Sequence, residues 1–286
     1  MDRRYFVKRA SAAAGLIAIS PLAFDQAATA GKKYISDRVL LGKTGIEVSR
    51  MAIGTGTNGW GGNSNQTRQM GVKGLSDLLR TGFERGVIFW DSADQYGTHP
   101  HLKEALKYVP REKVVILSKT HASGESEMKT NLDRFRKELG TDYIDIILLH
   151  CMTRKDWPVT KQGAMNILSK AREDKIIKAH GVSCHTLEAL QSAVASPWVQ
   201  IDLARINPAG AEMDAAVPTV VSVLRQMKQS GKAVMGMKIF GAGKLADRRD
   251  ECLKYALEQD YLDCFTIGIE NTEQLLYIEK RLPALV

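Results

Sequence analysis

Four residues whose side chains can together protonate a carbonyl oxygen stand at or near the ends of apolar runs. Asp91 follows Val87-Ile88-Phe89-Trp90, Lys119 lies in VVILSKT (114–120), and His150 closes YIDIILLH (143–150). Tyr96 lies five residues beyond Asp91 in DSADQYG (91–97). A tyrosine phenol has an ordinary pKa of about 10, too high for an efficient acid at neutral pH. A lysine ammonium beside it favours the phenolate and is expected to lower that pKa. Burial alone would drive the lysine toward its neutral form, so a carboxylate must hold its proton, and Asp91 is placed to do so. A neutral histidine can then orient a carbonyl oxygen against the phenol. The expected chemistry is hydride to carbon and proton to oxygen. Singly, each residue has a plainer reading. Asp91 and Ser92 can bond loose backbone N–H groups at a turn, Lys119 can be a solvated strand-end lysine, and His150 a satisfied core histidine. Their convergence on neighbouring strand ends favours chemistry.

The elements that must position them alternate strictly. Apolar strand patterns cover 48–54, 87–91, 114–119, 143–150, 178–183, 200–206, 233–240 and 263–268. Amphipathic helical patterns cover 70–85, 99–108, 125–139, 160–174, 186–195, 214–230, 248–259 and 272–281. Leu132, Phe135, Arg136 and Leu139 show the i, i+3, i+4, i+7 spacing with one polar member. Strands apolar on both faces belong to a parallel sheet covered by helices. Eight such units predict an α/β chain folded as a (β/α)8 TIM barrel, whose chemistry sits at the C-terminal strand ends. An open doubly wound sheet is disfavoured, because GTGTNGWGG (54–62) lacks the G-x-G-x-x-G form leading into a helix. RVLLGKTGIEV (38–48) reads as a short N-terminal β-hairpin closing the barrel bottom.

The chain has 286 residues, 44% of them hydrophobic, and a net charge of +8. Its basic residues are spread along the chain among 32 acidic ones, and no nucleic-acid signature is present, so no nucleic-acid partner is expected. No apolar run reaches the roughly 20 residues of a stable membrane span. The first thirty residues differ in kind. A basic MDRRYFVKR is followed by a short apolar stretch from Ala12 to Ile19 and by Ala28-Thr29-Ala30. This is the layout of a signal peptide cleaved after Ala30. The paired arginines with Phe6 and Lys8 resemble a twin-arginine signal, although Asp2 and Val7 depart from its usual residues. The expectation is export by the twin-arginine machinery to the periplasm, leaving 31–286 as one domain with net charge +6 once four basic and two acidic residues are removed. Cys151, Cys184, Cys252 and Cys264 are expected to be buried thiols, and no metal-ligand spacing is present.

FERGVIFWDSADQYG (83–97), LDRFRKELGTDYIDIILLH (132–150) and RVLLGKTGIEVSRMAIGTG (38–56) resemble, in order, three signatures of the aldo-keto reductase superfamily. The resemblance covers essentially all of 38–280. It implies Tyr96 as proton donor, Lys119 as its tuner, Asp91 as the partner of the lysine and His150 as orienter of the carbonyl. It implies NAD(P)H, bound extended across the barrel top without a Rossmann domain, and a small carbonyl or alcohol substrate. The cofactor contacts it implies are Gly54 and Thr55, then Ser183 and Cys184 in GVSCH (181–185), where Cys184 replaces the usual Asn. Gly241, Gly243 and Lys244 in IFGAGKL (239–245), and Gly268 and Asn271 beyond the last strand, complete the set.

The family's strand-six Gln and stacking ring are replaced by Leu203 and Ile206. Glu270 and Glu273 would repel a 2′-phosphate, with Lys238, Lys244, Arg248 and Arg249 as compensating cations, so NADPH is only slightly favoured over NADH. Trp60 and the loops 57–68, 121–125 and 151–158 are expected to wall the mouth. The competing expectation is a barrel that binds a dinucleotide or small metabolite without redox turnover, as a sensor or partner subunit.

Overall fold

The computed structural model describes residues 31–286, so the expected export signal lies outside the described residues. Two short strands, β1 (Arg38–Leu40) and β2 (Glu47–Ser49), pair as an antiparallel hairpin. Eight more follow: β3 (Met51–Gly54), β4 (Phe89–Asp91), β5 (Val115–Thr120), β6 (Ile144–Met152), β7 (Ile177–Cys184), β8 (Ile201–Arg205), β9 (Ala233–Met237) and β10 (Cys264–Gly268). They close into a parallel barrel in chain order, β10 pairing with both β9 and β3. The helices among the described residues are α1 (Asn65–Glu84), α2 (His99–Ala105), α3 (Glu125–Leu139), α4 (Trp157–Thr160), α5 (Gln162–Glu173), α6 (Leu187–Ala195), α7 (Val217–Gln229), α8 (Arg249–Glu258) and α9 (Thr272–Arg281). The fold is thus the (β/α)8 barrel with a hairpin that the alternation predicts. None of these helices is long and apolar enough to cross a membrane.

Strand residues of one parity fill the barrel and those of the other pack under the helices. Ala52, Phe89, Leu117, Ile146, Leu148, Ile201 and Met235 belong to the interior, together with Leu41, Ile46 and Val48 of the hairpin segment, which plug its N-terminal end. Ile53, Trp90, Ile116, Ile147, Val182 and Val234 belong to the outer layer. Helix α3 shows how that layer is built. Met128, Leu132, Phe135 and Leu139 are buried along one stripe, Glu125 and Glu127 open its first turn, and Arg136 and Lys137 close its last. Both charge placements suit the helix dipole, and Gly140 ends the helix in the left-handed conformation.

Several boundaries differ from the sequence pattern. The apolar run 48–54 is divided at Arg50, whose guanidinium pairs with Asp37 at 3.1 Å, so Val48 serves the hairpin and Met51 begins the barrel. Helix α1 starts at Asn65, capped by Ser64, and is interrupted at Gly71 (φ +61). The pattern 160–174 becomes α4 and α5, and the pattern 214–230 narrows to α7. Strand β9 stops at Met237 because Lys238 turns to φ +56.

Candidate active site

Strand parity brings the polar residues together. Phe89, Leu117 and Leu148 face the interior, so Asp91, Lys119 and His150, two residues further along, face the axis at its C-terminal end. They are 5%, 1% and 5% exposed. Lys119 Nζ donates to Asp91 Oδ1 at 2.5 Å and to the Ser92 carbonyl at 2.7 Å. The other Asp91 oxygen accepts from Thr266 Oγ1 at 2.8 Å. Sequence reasoning missed Thr266. Its signal is a lone hydroxyl in the apolar CFTIG of β10, two residues beyond the interior Cys264.

The inward series of β6 ends at His150 because the register shifts between Leu149 and Met152. Cys151 takes the left-handed φ of +58, uncommon for a residue with a side chain. Its N–H donates to Ser183 Oγ at 2.9 Å, which pins the bulge from the neighbouring strand.

Tyr96 stands on a 3-10 turn, Asp94–Tyr96, followed by Gly97 at φ +64. Lys119 Nζ lies 4.8 Å from its ring centre, and its hydroxyl is 3.5 Å from His150 Nε2. That is the outer limit of a hydrogen bond, and an incoming carbonyl oxygen can close it by accepting from both groups. The loop after β3 covers the ring with bare backbone. A Cβ on residue 56 would stand 2.1 Å from Tyr96 Cε2, and one on residue 59 would stand 2.3 Å from Cδ1, so only Gly56 and Gly59 fit.

Burial raises the Tyr96 phenol above its ordinary value, with the Lys119 charge opposing and the Asp91 charge adding. Lys119 acts in the expected lowering sense, but burial outweighs it and the net shift is upward. Asp91, in contact with the ammonium, offsets much of its field, and desolvation prevails. Burial works against the Lys119 charge too, but Asp91 and Tyr96 outweigh it and raise the lysine pKa, so the ammonium persists. Burial, followed by the Lys119 charge and the nearby His121, His185 and Lys238, holds His150 well below the usual imidazole range. Two further histidines border this one. The His121 ring lies 4.8 Å from that of His150, and His185 Nε2 lies 3.5 Å from Cys151 Sγ. A neutral phenol, a neutral imidazole and a charged ammonium thus converge, a set able to donate a proton to oxygen and to stabilise the anion left behind.

The profile of the aldo/keto reductase family matches residues 51–260. The chain belongs to the aldo/keto reductase family. Among its curated relatives, D-threo-aldose 1-dehydrogenase of a Pseudomonas species is 24% identical over 221 residues, which is 65% of this chain and 66% of the relative. Glycerol 2-dehydrogenase (NADP(+)) of Saccharomyces cerevisiae is 28% identical over 123 residues, 42% of this chain and 36% of the relative. The chain therefore spans less than two thirds of the length of these relatives. A solved aldo-keto reductase from Pseudomonas aeruginosa superposes with a TM-score of 0.74 at 20% identity, covering 88% of this chain and 98% of that one. The aldo/keto reductase of Klebsiella pneumoniae, solved with NADP and acetate, gives 0.64 at 20%, covering 89% of each chain. At these identities the likeness is one of fold.

In this family member a cavity of about 290 Å³ opens over the C-terminal strand ends and reaches Asp91 and Tyr96. Of the expected cofactor contacts, Gly54, Gly243 and Gly268 line it. The other six are not among its lining residues. Thr55 is buried with its hydroxyl donating to the Asp91 carbonyl at 2.9 Å. Ser183 is engaged by Cys151. Cys184 falls on the outward parity with Val182, beneath the helices. Gly241 is buried against Ala211, where a Cβ would lie 2.8 Å from that side chain. Lys244 pairs with Glu212 at 2.6 Å. Asn271 caps α9, accepting from the Gln274 N–H at 2.9 Å.

Leu203 lines the cavity, whereas Ile206 is 1% exposed and does not. Thr57 and Asn58 line it, but Trp60 projects outward at 73% exposure. Lys238 and Arg249, two of the expected compensating cations, line it, as do Met237, Gln274 and Tyr277, which no expectation named. Arg249 lies over the Tyr277 ring at 4.9 Å, while Arg248 is engaged with Glu251 at 2.5 Å.

Proposed function

We propose that this chain is an NAD(P)(H)-dependent oxidoreductase that reduces an aldehyde or ketone to its alcohol, or runs the reverse, with Tyr96 as proton donor. One observation carries the reading. The Tyr96 hydroxyl lies 3.5 Å from His150 Nε2, and Tyr96 lines a cavity that also reaches Asp91, the partner of Lys119. In this reading His150 Nε2 holds the substrate oxygen, Tyr96 delivers its proton, and Lys119 stabilises the phenolate that remains. Asp91, itself held by Thr266, keeps the ammonium charged and in place. His150 Nδ1 is buried without a partner, which favours the tautomer carrying its proton on Nε2, toward the substrate.

The cavity residues suit a nicotinamide dinucleotide. Gly54, Gly243 and Gly268 keep its walls free of side chains, which permits close backbone approach to the cofactor. When bound, the cofactor supplies or accepts the hydride. Lys238 and Arg249 are lining cations that favour a 2′-phosphate, and Glu270 is the lining carboxylate that opposes it, so NADPH is put only slightly ahead of NADH. The names of the Pseudomonas and yeast relatives, both dehydrogenases of hydroxylated compounds, support the reaction class. The first thirty residues support export through the twin-arginine machinery to the periplasm.

The test is a titration of the purified chain with NADPH and with NADH, followed by nicotinamide fluorescence. Saturable binding of either supports the oxidoreductase reading, and the ratio reports whether the two cations or Glu270 prevail. If folded protein free of carried-over cofactor binds neither, the reading fails.

A further inference from the structure

Tyr96 and Lys119 sit on different elements, a loop turn and strand β5, and a chain of polar side chains outside the barrel joins the two. Arg134, on α3, donates from Nη1 to Asp94 Oδ1 and from Nη2 to Asp94 Oδ2, both at 2.8 Å, a paired planar contact. Asp94 opens the 3-10 turn that ends at Tyr96. Arg134 Nη1 also donates to Glu138 Oε1 at 2.9 Å, and the other oxygen of Glu138 meets His99 Nδ1 at 2.8 Å. His99 is 2% exposed, and its Nε2 meets Ser118 Oγ at 2.7 Å. Ser118 immediately precedes Lys119 on β5. The connection therefore runs without a gap from the turn carrying the phenol to the strand carrying the ammonium.

We propose that Arg134 is a positioning residue that fixes the spacing of the Tyr96 phenol from the Lys119 ammonium, through Asp94 at one end and Glu138, His99 and Ser118 at the other. The kinetic part of this inference rests on Tyr96 being the proton donor; the geometric part does not. The Arg134 side chain is 40% exposed, and ion pairs that exposed add little to stability. A role confined to stability predicts that its loss leaves the site unchanged. A positioning role predicts displacement of the phenol, and small misplacements of reacting groups carry large costs in rate.

The test uses the purified chain labelled with ζ-13C tyrosine, the Tyr96 signal being assigned through Tyr96→Phe. Arg134→Met, Arg134→Lys and Asp94→Asn are compared with wild type. The Tyr96 resonance is expected to move in Arg134→Met and in Asp94→Asn. The kcat for carbonyl reduction is expected to fall roughly tenfold or more while the cofactor Kd stays within about twofold. Arg134→Lys keeps the charge but loses the paired donors, and is expected to recover less than half of the lost rate. An unmoved resonance in either folded variant overturns the proposal, as does full recovery by Arg134→Lys. If Arg134→Met does not fold, Asp94→Asn decides. Should wild type turn over no carbonyl compound, the reductase reading fails, and the resonance alone decides the positioning role.

Discussion

Burial and the neighbouring Asp91 both raise the pKa of Tyr96, and Lys119 only opposes them, so the phenol keeps its proton well into alkaline solution. An acid that must be protonated to act loses function as pH rises through its pKa. Reductive turnover is therefore expected to hold through neutral pH and to fall only above about pH 10. His150 behaves in the opposite sense. Its pKa lies well below 6.5, so the neutral imidazole survives moderate acidity, and no loss is expected near pH 6.5. A pH profile of kcat that breaks between 6 and 8 would assign the acid to another group, those two limits being roughly the range over which an unshifted histidine titrates. Replacing Tyr96 by Phe is expected to lower turnover by roughly a hundredfold or more, the usual scale of a general acid, while cofactor affinity stays near wild type. Stopped-flow absorbance of the nicotinamide separates the two.

The elements explain both what the sequence made legible and what it hid. Strands apolar on both faces, separated by amphipathic helices, announce a helix-covered parallel barrel, and Asp91, Lys119 and His150 are visible because each ends such a run. A strand apolar on both faces does not reveal which parity points inward. Ser183 and Cys184 were therefore equally eligible for the cavity, and the fold sends the first to the bulge at Cys151 and the second under the helices. Thr266 was hidden because its partner, Asp91, is 175 residues away, and only closure of β10 on β3 brings them together. Tyr277 was hidden likewise, on a helix whose approach to the cavity no local pattern records. The Tyr96 loop makes a prediction at this scale. Gly59→Ala would drive a methyl group to 2.3 Å from the Tyr96 ring, so either the loop or the phenol must move. Turnover is expected to fall with little change in melting temperature, as steady-state kinetics beside thermal unfolding would show.

Across the whole molecule, buried ionisable groups set opposing limits on stability. The unfolded chain takes up protons on its histidines near pH 6.5, while the fold holds His180 and His185 at about 4 and His150 well below 6.5. Their contribution is full above 6.5 and is lost as pH falls toward 4. Asp202 runs the other way. Burial raises it to about 8, so the fold keeps a proton that the unfolded chain surrenders near 3.8, and this contribution fades as pH rises toward 8. The histidines prevail on the acid side and Asp202 on the alkaline side, so the melting temperature is expected to peak near pH 6.5. Asp202→Asn is expected to remove the decline between pH 6.5 and 8, by roughly 3–5 °C at the upper end, as calorimetry would report. Export is tested at the same scale. Replacing Arg3 and Arg4 by Lys in the full chain is expected to retain it in the cytoplasm, and continued appearance in a periplasmic extract would reject the twin-arginine route.

The bare backbone against Tyr96 bears on how this protein can change. Positions 56 and 59 admit no side chain while the phenol stays where it is, so that stretch of the rim is closed to variation by substitution. New selectivity has to arise elsewhere, from the loops that carry His121 and His185. Descendants of this chain would then diverge in those loops and stay alike around the phenol, keeping the acid while exchanging what it acts upon.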